Sequence, residues 1–195
     1  MGPRERPFSF VKTIDYYMTP GSPWTYLGHE RFAAIATRHG AAIRLRPVDF
    51  GVVFPQSGGL PLPKRAPQRQ AYRLMELRRW KEHLGLPLVI QPRYFPVNGN
   101  PAAALICAAP EEKRMALAGA LLSALWRDDR NLADPALLEE IGARFGVSAG
   151  DETRYAAYTH EAVTRGIFGA PSYVYRDEIF WGQDRLEFLD RALAK

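Results

Sequence analysis

The first 49 residues change their hydrophobic period twice, and this restricts the fold more than any other feature of the chain. Residues 12–17 are β-prone, residues 22–38 predict a helix that stops near Gly40, and residues 41–49 alternate apolar side chains with arginines. Such alternation is typical of a half-buried strand. A strand, a helix and a strand of these lengths predict a parallel pair joined by a right-handed crossover.

The end of the chain returns to a β pattern. Residues 172–175 and 178–181 are β-prone and flank the dipeptide Arg176-Asp177, so they predict a hairpin with a tight turn. Residues 183–193 predict a final helix. Three leucines share one face of that helix: Leu186, Leu189 and Leu193.

The segment between these two patterns predicts a loop followed by helices. Residues 51–67 are rich in Gly and Pro and predict a loop, residues 68–84 predict a helix, and residues 86–100 predict a loop punctuated by proline. Two further helices are indicated by apolar residues at helical spacing: Leu117, Leu121 and Leu125, then Leu137, Ile141 and Phe145. Asp134 and Asp151 are predicted N-caps.

These patterns divide the chain into two parts. Residues 11–50 and 166–195 form one α/β unit, and residues 51–165 form a connecting loop and a helical insertion. Periodicity alone therefore predicts an α/β protein with a helical block.

The rarity of cysteine and the spacing of histidine exclude several kinds of site. Cys107 is the only cysteine, so the chain has no intramolecular disulfide and no cysteine cluster for zinc. It lies in an apolar helical stretch and is predicted to be an inert core thiol. The four histidines lack the spacing of metal ligands, and we predict no metal site.

Charge and hydropathy indicate the partners. The net charge is +5, but lysines and arginines are mixed with acidic residues, which disfavours nucleic acid and is compatible with small anionic substrates. Apolar runs are too short for a bilayer span, and the N-terminus lacks the apolar core of a signal peptide. We expect a cytoplasmic protein without a membrane partner, whose residues 1–10 are a loose extension.

The segment Ser22-Pro23-Trp24-Thr25 follows the first predicted strand and has two interpretations. Ser at the N-cap and Pro at the first helical position are what an ordinary helix start prefers. The same position also exposes unpaired N–H groups and positive dipole charge, so a hydroxyl there can help to keep a thiolate ionised.

The segment from Gly166 to Ser172 also has two interpretations. Pro171 precedes the predicted hairpin, and most X–Pro bonds are trans, as in an ordinary loop. A cis bond would instead turn the chain sharply and leave the backbone of Ala170 free to pair with a ligand as an added strand does.

A third segment, Trp181-Gly182-Gln183-Asp184-Arg185, joins the hairpin to the last helix. It is either a turn with a carboxylate placed favourably near a helix start, or a site that binds a ligand ammonium through Asp184 and the adjacent backbone.

In combination, these three segments resemble the 2-hydroxychromene-2-carboxylate isomerase family of the kappa-class glutathione transferase group. The resemblance covers roughly residues 12–193. It extends to Arg46-Pro47, Gly85-Leu86-Pro87 and the aromatic residues Tyr72 and Trp80. It implies a thioredoxin-like fold of the DsbA type, βαβ and ββα around an inserted all-helical subdomain. Ser22 and Thr25 then occupy the two cysteine positions of a thioredoxin-type motif, so no dithiol cycle is possible.

The resemblance also implies a set of site residues. Ser22 would be the catalytic serine beside the sulfur of glutathione, which is the expected cofactor. Further glutathione contacts would come from Ala170, Pro171, Trp181, Gly182, Gln183 and Asp184. Substrate contacts would come from Lys64, Tyr94 and Asn98. Pro63 stands where the family pattern has an asparagine, so the sequence departs from the family at the substrate pocket.

The implied activity is glutathione-dependent isomerisation of 2-hydroxychromene-2-carboxylate or a related intermediate of aromatic degradation, by reversible thiolate addition, in a homodimer. Two alternatives stay open. One is a kappa-like glutathione transferase or peroxidase that acts on another electrophile. The other is a non-catalytic DsbA-like module that binds a peptide in its groove.

Overall fold

The computed structural model describes residues 12–195. The predicted N-terminal extension and Val11, the first residue of the predicted α/β unit, lie outside the described residues. Four strands form one sheet: β1 (Thr13–Met18), β2 (Ala42–Pro47), β3 (Ser172–Tyr175) and β4 (Glu178–Trp181). The described residues also form eight α-helices: α1 (Pro23–Arg38), α2 (Phe50–Ser57), α3 (Pro67–Leu84), α4 (Asn100–Ala108), α5 (Glu111–Trp126), α6 (Pro135–Ala143), α7 (Glu152–Thr164) and α8 (Leu186–Leu193).

The sheet has the order β2-β1-β3-β4. Strands β1 and β2 are parallel, with Thr13 opposite Ala42, and α1 connects them as predicted. Strand β3 runs antiparallel to β1, and β4 runs antiparallel to β3. The hairpin turn at Arg176 and Asp177 has positive φ at both residues, which matches the right-handed twist of the flanking strands.

The helical insertion and the sheet share one hydrophobic core. The central strand β1 contributes Ile14, Tyr16 and Met18, all fully buried. Helices α1, α5 and α8 pack on it through side chains at helical spacing, among them Leu27, Phe32, Leu117, Leu121, Leu125, Leu186, Leu189 and Leu193. The predicted N-caps are confirmed, because Asp134 accepts a hydrogen bond from the Ala136 amide and Asp151 from the Arg154 amide.

The prediction of a loop over residues 51–67 is wrong at its start. Helix α2 occupies Phe50–Ser57, and a short 3₁₀ turn occupies Leu62–Lys64. The side chain of Asp49 caps α2 by accepting from the Gly51 amide at 2.8 Å, and Gly58 ends the helix with φ of 74°. Val53 is buried in a hydrophobic cluster that also contains Tyr17. Capping and burial therefore outweigh the Gly and Pro content.

Cys107 lies inside α4 and is inaccessible to solvent. Burial, the main cause, raises the pKa of its thiol to about 12. We therefore expect iodoacetamide at pH 8 to label the folded protein at least about a hundredfold more slowly than the urea-unfolded chain, because the thiolate is the reactive species. Mass spectrometry of the labelled chain measures this, and complete labelling of the folded protein would contradict it.

Candidate active site

Ser22 lies where β1 leads into α1. Its side-chain oxygen accepts a hydrogen bond from the Thr25 amide at 3.2 Å and so caps the helix, with Pro23 at the first helical position. Ser22 retains a small exposed fraction, 9%, whereas Thr25 is fully buried. Of the two positions that a dithiol motif would use, only Ser22 can therefore meet a ligand.

The Ala170–Pro171 peptide bond is cis, as the second of the two interpretations of this segment predicts. The loop that carries it faces the start of α1, because the Ser22 hydroxyl lies 3.5 Å from the Ala170 carbonyl oxygen, to which it donates. Ser172 is buried and holds the loop by donating its hydroxyl to the Gly169 carbonyl at 2.7 Å. The Ser22 hydroxyl, the positive dipole charge of α1 and the backbone of Ala170 therefore meet at one point.

The turn after β4 lies against the same loop. The Gly182 amide donates to the Pro171 carbonyl at 2.8 Å. Trp181 is half exposed, and its ring meets the Phe168 ring edge-on at 4.9 Å between centroids. A side chain on Gly169 would displace the Trp181 ring, because a Cβ at that position would lie 2.4 Å from the indole nitrogen.

Asp184 and Gln183 have different surroundings. The Asp184 side chain is 44% exposed and pairs with Arg185 at 2.7 Å, so its carboxylate is accessible from solvent. Gln183 is buried, and its carboxamide oxygen accepts from Arg31 of α1. Gln183 thus anchors the turn to α1, and its side chain is committed to that contact.

Of the three residues predicted to bind substrate, Asn98 is the one whose chain neighbour, Gly99, approaches the turn before Ser22. Gly99 lies against the turn before Ser22, because a Cβ on Gly99 would be 3.6 Å from the Gly21 amide nitrogen. Asn98 itself is exposed and accepts from the Asn100 amide at 3.1 Å. Lys64 and Tyr94 lie on the surface, on the 3₁₀ turn and the loop before α4.

A hydrogen-bond network missed by the sequence analysis holds the loop before α4 in place. The Asn100 side chain donates to the Asp49 carboxylate at 2.9 Å and accepts from the Tyr155 hydroxyl at 3.1 Å. Burial raises the pKa of Tyr155, so the phenol stays protonated and remains a donor. The sequence shows Asp49 and Asn100 as polar residues at the starts of α2 and α4. It does not show that they pair, because they are far apart along the chain.

The described residues contain no group of three or more His, Cys, Asp or Glu side chains that could hold a metal ion. None of the helices between residues 12 and 195 has the length and apolar character required to cross a bilayer.

The sheet order, the helix start after β1 and the cis-proline loop facing it define a thioredoxin-like fold with a helical insertion. The chain belongs to the DSBA-like thioredoxin domain family, whose model matches residues 13–194.

Within that class the chain resembles particular enzymes over nearly its whole length. It is 29% identical to a 2-hydroxychromene-2-carboxylate isomerase of Sphingobium xenophagum, over 94% of this chain and 98% of the relative. A solved structure of a 2-hydroxychromene-2-carboxylate isomerase matches with a TM-score of 0.78 and 28% identity, over 93% of this chain and 94% of that one. The chain is also 31% identical to glutathione S-transferase kappa 1 of Caenorhabditis elegans over a shorter stretch, which covers 42% of this chain and 36% of the relative. The predicted resemblance and fold are confirmed.

Proposed function

We propose that this chain is a glutathione-dependent isomerase that acts on 2-hydroxychromene-2-carboxylate or a related intermediate of aromatic degradation. The observation that carries the proposal is the Ser22 hydroxyl, which caps α1 and lies 3.5 Å from the Ala170 carbonyl of the cis-proline loop. The two full-length isomerase matches support the reaction class.

The residues present fit glutathione, a small peptide with a thiol. The backbone at Ala170, next to Ser22, suits an extended peptide that pairs as an added strand. The accessible carboxylate of Asp184 suits the ammonium of the glutamyl end. The start of α1 suits a thiolate, because its dipole and unpaired amides favour negative charge.

Ser22 would act by redirecting its proton. Its present contact with Ala170 is long, so the hydroxyl can turn toward a thiolate at little cost. A hydrogen bond from a neutral hydroxyl to an anion is stronger than one to a carbonyl. When bound, glutathione would supply a thiolate that adds reversibly to the conjugated double bond of the substrate and allows rotation about it.

The substrate side of the site would use the exposed residues of the adjoining loops. Tyr94 offers a half-exposed ring to an aromatic substrate, Asn98 precedes the Gly99 that lies against the turn before Ser22, and Lys64 offers a cation to a carboxylate. Pro63 has no side-chain amide, whereas the family pattern has an asparagine at this position beside Lys64. The choice among related substrates would therefore depend on the other residues.

A kappa-like glutathione transferase or peroxidase is the second candidate, and the partial match to glutathione S-transferase kappa 1 favours it. Both enzymes need glutathione. They differ in whether it is consumed, because an isomerase returns its cofactor after every turnover.

Turnover of a panel of conjugated aromatic 2-oxo acids, with and without glutathione, tests the proposal. We expect isomerisation only when glutathione is present. Less than one equivalent of glutathione per substrate should be enough for complete conversion, and all of its free thiol should be recovered. S-methylglutathione, which keeps the peptide but lacks the thiol, is the matched control and should inhibit. Stoichiometric loss of thiol would support the transferase instead. No retention on glutathione resin would contradict both enzymes and leave the peptide-binding module.

The cytoplasmic location and the homodimer stay predictions.

A further inference from the structure

Arg73 is a buried cation in the first half of α3. Arg73 is 8% exposed. Its guanidinium carbon lies 4.9 Å from the centroid of the Phe95 ring and 5.9 Å from the centroid of the Trp126 ring. Among residues 12–195, nothing accepts a hydrogen bond from its Nη2. A buried charge is normally paired, so this arginine calls for an anion.

A second donor lies at the same place. Trp126, the last residue of α5, is fully buried, and within the described chain its indole Nε1 has no acceptor. Buried N–H groups without a partner are rare and each costs free energy. Two unpaired donors therefore lie on side chains that are close to each other, since the Arg73 guanidinium is 5.9 Å from the Trp126 ring centroid, and the Phe95 ring lies beside them.

The local field is positive. Burial, the larger cause, and the nearby charge of Arg65 lower the pKa of Arg73 to about 10. Burial, again the larger cause, and the charge of Arg69 lower the pKa of Arg65. Arg65, which follows the 3₁₀ turn, and Arg69 and Arg73 in the first half of α3 thus favour an incoming anion.

This cluster lies at the same end of α1 as Ser22. Tyr26, in the first turn of α1, donates to the Pro87 carbonyl at 2.6 Å. Burial raises the pKa of its phenol, with smaller effects from Arg127 and Asp128, which directly follow Trp126. The loop that carries Phe95 continues within four residues to Gly99, which lies against the turn before Ser22.

We propose that Arg73 Nη2 and Trp126 Nε1 bind the carboxylate of an aromatic acid, whose ring packs beside Phe95. This inference rests on the proposed function, since it names the residues that select a carboxylate substrate. The buried Arg73 then selects the carboxylate. The exposed Lys64 attracts it more weakly, because solvent and salt screen its charge.

Calorimetric titration with cinnamate and its neutral isostere cinnamamide, without glutathione, tests the site. The wild-type protein should bind cinnamate about ten- to a hundredfold more tightly than the amide, as expected for hydrogen bonds to a charged group. Arg73→Gln should abolish the preference. Arg73→Lys should keep part of it, because the charge remains and the planar fork is lost. Arg78→Gln, which changes an exposed arginine on the same helix, should leave it intact.

Several results would overturn the inference. They are equal binding of cinnamate and cinnamamide by the wild type, an unchanged preference in Arg73→Gln, and loss of the preference in Lys64→Gln alone. Binding of chloride with no effect of cinnamate would assign the donors to an inorganic anion and also overturn it. Thermal unfolding of each variant verifies folding, and Arg73→Lys keeps the test valid if Arg73→Gln unfolds. Glutathione binding is measured separately, so failure here leaves the proposed function standing.

Discussion

Replacing Ser22 by alanine should lower glutathione-dependent turnover about ten- to a hundredfold, which corresponds to the loss of one hydrogen bond to a charged group. The same change should raise the pKa of the bound glutathione thiol by about 1 to 2 pH units, because the thiolate then depends on the α1 dipole alone. Ultraviolet absorbance of the bound thiolate against pH measures this directly. At a pH below the raised pKa, the variant therefore loses thiolate and activity together.

The stability cost of Ser22→Ala must be separated from its effect on activity. Ser22 caps α1, and losing an N-cap costs about 0.5–2 kcal/mol. Asp134→Ala is the matched control, since it removes the exposed cap of α6 and should cost a similar amount with unchanged turnover. Ser22→Thr keeps both cap and hydroxyl and should recover part of the activity. An unchanged thiol titration in Ser22→Ala would remove Ser22 from the mechanism.

The largest effect on stability is expected at Asp15, in the middle of β1. Its side chain is 5% exposed, and its carboxylate lies 2.7 Å from Arg44 Nε, 2.6 Å from Arg165 Nη1 and 3.7 Å from Arg46 Nη2. Asp15→Asn keeps the shape and removes the charge, so the arginines lose their common partner. Breaking a buried pair in this way costs about 3–5 kcal/mol, a large share of the 5–15 kcal/mol that typically stabilises a domain.

Urea unfolding measures the cost at Asp15, and Asp177→Asn serves as its control. Asp177 also pairs with Arg165, at 3.6 Å, but its side chain is 99% exposed, so its loss should cost less than about 1 kcal/mol. Equal midpoints for the two variants would mean that solvent already compensates the arginines, of which Arg44 is half exposed. Turnover should be unchanged in both variants after correction for the folded fraction.

Local sequence was sufficient for the elements that depend on neighbouring residues. The start of α1 at Ser22-Pro23 and the caps at Asp134 and Asp151 each rest on a contact within three residues along the chain. The turn at Arg176-Asp177 is equally local. Composition was misleading at residues 51–67, because Val53 is buried in a cluster with Tyr17 and Ala162, which are far from it in sequence.

The sequence by itself determined the βαβ and ββα patterns at the two ends of the chain, the absence of a dithiol and the resemblance that names the candidate site residues. Only the tertiary structure decided that Ser22 faces Ala170, that Gln183 is committed to Arg31, and that Arg73 and Trp126 lie close together, each with one donor that has no acceptor. The physical reason is the range of the forces. Capping and periodicity act over one or two turns and are written in adjacent residues, whereas the burial of a charge depends on which distant segments pack around it.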